Sequence, residues 1–95
     1  MLVPIGQFRL ETPPMERPAP DRTLDTSGKY CPVPIIETAK AVKEMGPDEV
    51  LLVIATDPGI ETDMPAWCKS TRHEYLGTDR EGRVFRSWVR TRRTS

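Results

Sequence analysis

Cys31 opens the run Cys31-Pro32-Val33-Pro34, and this sulfur is the group in the chain best placed to do chemistry. A thiolate is a strong nucleophile, and proline at the first position of a helix has a favourable fixed φ and gives up an amide that would have had no partner. The spacing predicts Cys31 at the cap of a helix and Pro32 at its first helical position. Pro34 removes a second orphan donor, while the restriction before a proline works against Val33 being fully helical. A thiol so mounted feels the positive end of the helix dipole, which predicts a pKa roughly one unit below the free value of about 8.5. Lys29, two residues earlier, is a candidate stabiliser of the thiolate.

The other reactive types are few. Cys68 shares an apolar helical face with Met64 and Trp67 and is expected in the core. His73, between Arg72 and Glu74 at a strand start, is expected to be a surface or packing residue rather than a base for Cys31. Two distant cysteines and one histidine do not make a zinc site, so neither metal nor cofactor is expected. Pro34 stands where the resolving cysteine of a Cys-x-x-Cys pair would be. A single reactive sulfur without a resolver suits accepting and passing on a sulfur atom better than making a disulfide.

The elements that must position Cys31 follow from periodicity. Thr23 to Asp25 is a short strand candidate closed by Thr26-Ser27-Gly28. Ile35, Ile36, Ala39, Val42 and Met45 recur at helical spacing, with Glu37, Lys40, Lys43 and Glu44 opposite, and Gly46-Pro47 stops the helix. Val50 to Ala55 is apolar on both pleat faces, as in a central strand, and ends at Asp57-Pro58-Gly59. A second helix carries Ile60, Met64, Trp67, Cys68 and Thr71 on one face, with Pro65 comfortable only near its start or at a kink. His73 to Thr78 and Val84 to Arg90 read as strands joined by Asp79-Arg80-Glu81-Gly82. The order β-α-β-α-β-β predicts an α/β (α+β) two-layer sandwich, a mixed four-stranded sheet with both helices on one face.

The chain has 95 residues, enough for one domain, and 14 basic residues balance 14 acidic ones. No global field therefore points to nucleic acid or an anionic membrane. Residues 1–20, with five prolines, are expected to be a flexible leader, and residues 21–95 the folded domain. The apolar residues Leu2, Val3, Ile5, Phe8 and Leu10 could add an edge strand or meet a partner. The N-terminus lacks signal-peptide features and the longest apolar run is too short for a bilayer. Reduced thiols and a cytoplasmic location are expected.

Leu24-Asp25, Gly28, Cys31-Pro32-Val33-Pro34, Gly46, Val50 to Ala55, Asp57-Pro58, Asp63, Pro65, Cys68 and Phe85 to Arg90 together resemble the TusA/SirA-like sulfur carriers. The likeness covers Asp21 to Ser95. It implies the same β-α-β-α-β-β sandwich. It also implies that Cys31 takes sulfane sulfur as a persulfide from a cysteine desulfurase or rhodanese-like donor and relays it to an acceptor protein. The destinations implied are transfer-RNA thiolation, molybdenum cofactor assembly or sulfur oxidation. The leader, Trp67 and Trp88 depart from the pattern.

Two other classes compete. On the last strand Val84, Arg86, Trp88 and Arg90 should face the open side of the sheet. With Arg92 and Arg93 they could form a basic partner surface, or an RNA-binding one, against which the neutral net charge argues. Cys31 and Cys68 could alternatively serve as a redox pair. A monomer without membrane attachment is expected.

Overall fold

The computed structural model describes residues 17–92. The expectations for the leader up to Glu16, including its apolar residues, and for Arg93 lie outside the described residues.

The elements follow in the expected order: β1 (Arg22–Thr26), α1 (Val33–Lys43), β2 (Val50–Ala55), α2 (Ile60–Thr71), β3 (Glu74–Glu81) and β4 (Val84–Arg90). The sheet order is β1-β2-β4-β3, with β1 parallel to β2 and the other two pairings antiparallel. β2 and β4 are therefore central. Leu51, Val53, Ala55, Phe85 and Val89 point from these strands into the core, where Ala41 of α1 and Ile60, Met64 and Cys68 of α2 cover them. Along β4 each of Phe85, Ser87 and Val89 is buried, and Val84, Arg86, Trp88 and Arg90 alternate on the open face, as the strand period requires.

α1 differs from its expected inner face. Its buried positions are Pro34, Thr38 and Ala41, with Ile35, Val42 and Met45 packed at the margin. This rotation leaves Ile36 outside, 48% exposed. Spacing alone fits either face, because Pro34, Thr38 and Ala41 also recur at helical intervals, and the Thr38 hydroxyl is satisfied locally by the Pro34 carbonyl at 2.8 Å. α2 runs straight through Pro65, and Ile60, Met64 and Cys68, spaced by four, anchor it on both sides of the missing amide.

β3 extends past Thr78 to Glu81, so the expected four-residue connection is only Gly82-Arg83. Gly82, at φ +63°, supplies the positive φ that a tight hairpin turn needs at its first central position. The polar residues read as turn formers are instead satisfied in the strand. Arg80 Nε donates to the Gly82 carbonyl at 2.9 Å and its guanidinium lies over Phe85, while Glu81 pairs with Arg86 at 3.1 Å.

Within the expected leader, Arg17 is tied to the sheet. Its guanidinium donates to Asp79 at 2.9 and 3.3 Å and also bonds the Leu76 carbonyl. A Cβ on Gly77, at the β3 irregularity, would sit 2.6 Å from that guanidinium and would displace it, and the φ of +126° there strains any other residue.

Candidate functional site

The segment between β1 and α1 is built around backbone bonds that leave Cys31 at the surface. The Lys29 amide donates to the Thr26 carbonyl at 3.1 Å and the Gly28 amide to Thr56 Oγ1 at 2.8 Å. The Val33 amide then closes a turn on the Tyr30 carbonyl at 2.8 Å, with Cys31 and Pro32 at its centre. The Cys31–Pro32 peptide is cis. Because Cys31 and Pro32 are used in this turn, α1 begins one residue later than expected. Pro32 is the cap, its carbonyl accepts from Ile35 and Ile36, and Pro34 lies in the first helical turn.

Two aspartates hold Cys31. Its amide donates to Asp57 Oδ2 at 2.6 Å, and its Sγ donates to Asp63 Oδ2 at 2.9 Å. Asp57, in the β2–α2 loop, also accepts from the Gly59 amide at 3.1 Å, and these two backbone bonds hold its carboxyl below the usual carboxylate range. The thiol moves the other way from the expectation. Its hydrogen bond to Asp63, then desolvation, then the charges of Asp63 and Asp57 push its pKa above the ordinary value. An acceptor in contact with the proton outweighs a helix terminus whose effect is at most about 2 kcal/mol.

Lys29 contributes to a different carboxylate. Asp25 is held low first by the Ser27 hydroxyl and amide and then by the charge of Lys29. His73 is also remote in its contacts. It stacks on Trp67 with ring centroids 5.3 Å apart, its Nδ1 accepts the Arg92 amide at 3.1 Å, and burial lowers its pKa. It lines a groove of about 610 Å³ with Val42, Met45 and Pro47, at the C-terminal end of α1. Cys31 stands at the N-terminal end.

Cys68 is 1% exposed in the core, where burial alone raises its thiol to about 12. Both thiols are free. Beside the two aspartates, exposed apolar side chains form a rim: Tyr30, 74% exposed, and Val33, 37%, flank the Cys31-Pro32 turn, and Ile36, 48%, lies one turn along α1. This rim was not read from the sequence, since Ile36 was expected in the core and Val33 carried no role. Asp57 and Asp63 were visible as residues of the resembling pattern, but nothing in the sequence paired them with a cysteine so far along the chain.

Arg86, Trp88 and Arg90 lie on the open sheet face, away from the helices. Their cations are partnered: Arg86 with Glu81 at 3.1 Å, Arg90 with Glu74 at 3.6 Å, and Arg92 with the same Glu74 at 3.5 Å. The Trp88 indole Nε1 is buried without a hydrogen-bond partner among the described residues. Among those residues no group of three or more His, Cys, Asp or Glu side chains could hold a metal ion, and no helix is long and apolar enough to cross a membrane.

The described residues thus form a mixed four-stranded sheet with two helices on one face and one exposed cysteine at the start of the first helix. Comparison with known proteins agrees. The family model described as "Sulfurtransferase TusA" matches residues 22–91. The chain is similar to the "Putative sulfur carrier protein YrkI" of Bacillus subtilis (strain 168), 41% identical over 69 residues that make up 73% of this chain and 92% of that one. It is 49% identical over 67 residues to the "Putative sulfur carrier protein YrkF" of the same organism. That match spans 70% of this chain but only 36% of the relative's length. A crystal structure of a SirA-like protein from Desulfitobacterium hafniense shares the fold, with a TM-score of 0.63 at 23% identity, covering 76% of this chain and 99% of that one. The chain belongs to the TusA family of sulfur carriers.

Proposed function

We propose that Cys31 carries the sulfur, accepting sulfane sulfur as a persulfide from a cysteine desulfurase or rhodanese-like donor and passing it to an acceptor protein. The observation that carries this reading is the contrast in access: Cys31 is exposed within an apolar rim, and Cys68 is sealed in the core. Persulfide transfer between proteins requires one sulfur to reach another, so the accessible thiol must be the carrier. The protein then acts as a sulfurtransferase without metal or cofactor, in a reducing, cytoplasmic setting, as a monomer. Its acceptor lies in transfer-RNA thiolation, molybdenum cofactor assembly or sulfur oxidation.

Two features support this reading over its competitors. The arginines of the open face are partnered by acids, which disfavours an RNA surface built on Arg86 and Arg90. Burial of Cys68 disfavours a redox pair. The test is intact mass after incubation with inorganic polysulfide. Wild type should gain one sulfur atom, removable by reductant, and Cys68→Ala should do the same, whereas Cys31→Ser should gain none. Loading of Cys31→Ser, or loss of two hydrogens in wild type, overturns the assignment.

A further inference from the structure

Asp63 occupies the first turn of α2, whose start is fixed when the Ile60 amide bonds the Asp57 carbonyl at 3.1 Å and the Glu61 amide bonds the Pro58 carbonyl at 3.1 Å. Those bonds bring both aspartates to one small space. A Cβ on Gly59 would lie 3.5 Å from Asp63 Oδ2 and 3.6 Å from both oxygens of Asp57, ordinary van der Waals contact, so the two carboxylates face the same spot beside Gly59. The charged groups acting on the thiol are Asp63 from α2 and Asp57 from the preceding loop, both acidic. Lys29, from the β1–α1 segment, acts on Asp25. Outside them stands the apolar rim of Tyr30, Val33 and Ile36.

We propose that Asp63 is a positioning and selectivity residue, which holds the Cys31 proton in the free protein and reserves the thiol for donors that seat on the Tyr30, Val33 and Ile36 rim and bring a cationic side chain beside their persulfide. This rests on the carrier reading. A cation beside Asp63 draws the carboxylate away from the thiol proton and stabilises the thiolate that forms. The Cys31 thiolate then attacks the terminal sulfur of the donor persulfide. A new sulfur–sulfur bond forms at Cys31, the donor's own sulfur–sulfur bond breaks, and the departing donor thiolate receives the proton that Cys31 gave up. No external oxidant or reductant is consumed. Without such a partner the thiol stays protonated, and adventitious electrophiles meet the less reactive form.

Small reagents of opposite charge test this without any sulfur donor. The trimethylammonium-ethyl and sulfonato-ethyl methanethiosulfonates react at Cys31 to give mixed disulfides, and each rate is divided by that with free mercaptoethanol. In wild type the cationic reagent should be favoured about tenfold at low salt, falling as salt is added. Asp63→Asn should cut that preference to about threefold or less and raise the rate with neutral iodoacetamide at pH 7 by about threefold or more. Asp63→Glu, which keeps the charge, should retain most of the preference, and Glu61→Gln in the same helical turn should leave it unchanged. Melting curves establish that each variant is folded, and the salt dependence in wild type gives a reading that needs no variant. An unchanged preference and unchanged iodoacetamide rate in folded Asp63→Asn, or a wild-type preference insensitive to salt, overturns the proposal. Failure of polysulfide to load Cys31 would instead remove the carrier reading and leave this charge selectivity standing.

Discussion

The two cysteines are both harder to ionise than a free thiol, but the leading cause differs between them. Cys68 is surrounded by Met64, Phe85 and other core side chains, and nothing but the loss of water raises its pKa, to about 12. Cys31 lies at the surface, and the hydrogen bond to Asp63 raises it first, then desolvation, then the charges of Asp63 and Asp57. The first effect is fixed by the fold, because only opening of the core restores water to the sulfur. The second is carried by side chains at the surface and can be cancelled by whatever charge arrives next to them. A raised thiol pKa thus marks a structural cysteine in one case and an adjustable one in the other, and accessibility separates them.

Native-state alkylation gives the largest expected effect. With iodoacetamide at pH 8, Cys31 should be modified at least a thousandfold faster than Cys68, because Cys68 reacts only through openings that cost a good part of the global stability. Peptide mapping after timed quenching reads both rates in one sample. Comparable rates would mean that α2 opens readily and that the contrast between the two thiols is false.

Stability should show the reverse ranking. Cys68→Ala removes a buried sulfur beneath α2 and should cost about 1–2 kcal/mol in denaturant unfolding, while Cys31→Ala should leave the midpoint within the scatter of repeated measurements. A large loss from Cys31→Ala would assign Sγ a part in fastening α1 to α2 through Asp63.

The two thiols also differ in how far the sequence revealed them. Core placement of Cys68 followed from helical spacing with Met64, and the limits of β2 and β4 were legible because an unbroken apolar run and strict alternation each fit one arrangement. For Cys31 the motif located the helix start to within a residue, but its electrostatics came out inverted. The sequence shows the local dipole and Lys29, whereas the groups that dominate arrive from a loop and a helix beyond β2, brought there by packing. Ile36 was misplaced for a related reason. α1 carries two stripes at helical spacing, and the one that is fully buried, Pro34, Thr38 and Ala41, is the less apolar of the two. In β3, Asp79, Arg80 and Glu81 have turn-forming character, but salt bridges to Arg17 and Arg86 and the contact of Arg80 with Phe85 keep them in the strand.

The smallest expected effect concerns Asp57, which touches the Cys31 backbone rather than its sulfur. Bonds from the Cys31 and Gly59 amides favour its ionised form, so its folded pKa lies below that of the unfolded chain. A carboxylate depressed in this way contributes stability that is present above the unfolded value of about 3.9 and is lost as pH falls through the lower folded value. The window is therefore acidic, below about pH 4, and leaves neutral pH untouched. Asp57→Asn keeps an oxygen that can accept either amide but cannot titrate, so the melting temperature between pH 5 and 7 should drop only slightly while its decline below pH 4 becomes shallower. Cys31 titrates at the other extreme, since a group raised on folding contributes stability below its ordinary value and loses it as pH rises through the folded one. Asp57→Asn should also weaken the acidic field on Sγ, shifting the iodoacetamide profile of Cys31 downward by less than Asp63→Asn does, because Asp63 contacts the proton and Asp57 acts only through space. A larger shift from Asp57→Asn than from Asp63→Asn would reverse the order of the two carboxylates and make the turn, rather than the helix, the element that controls the thiol.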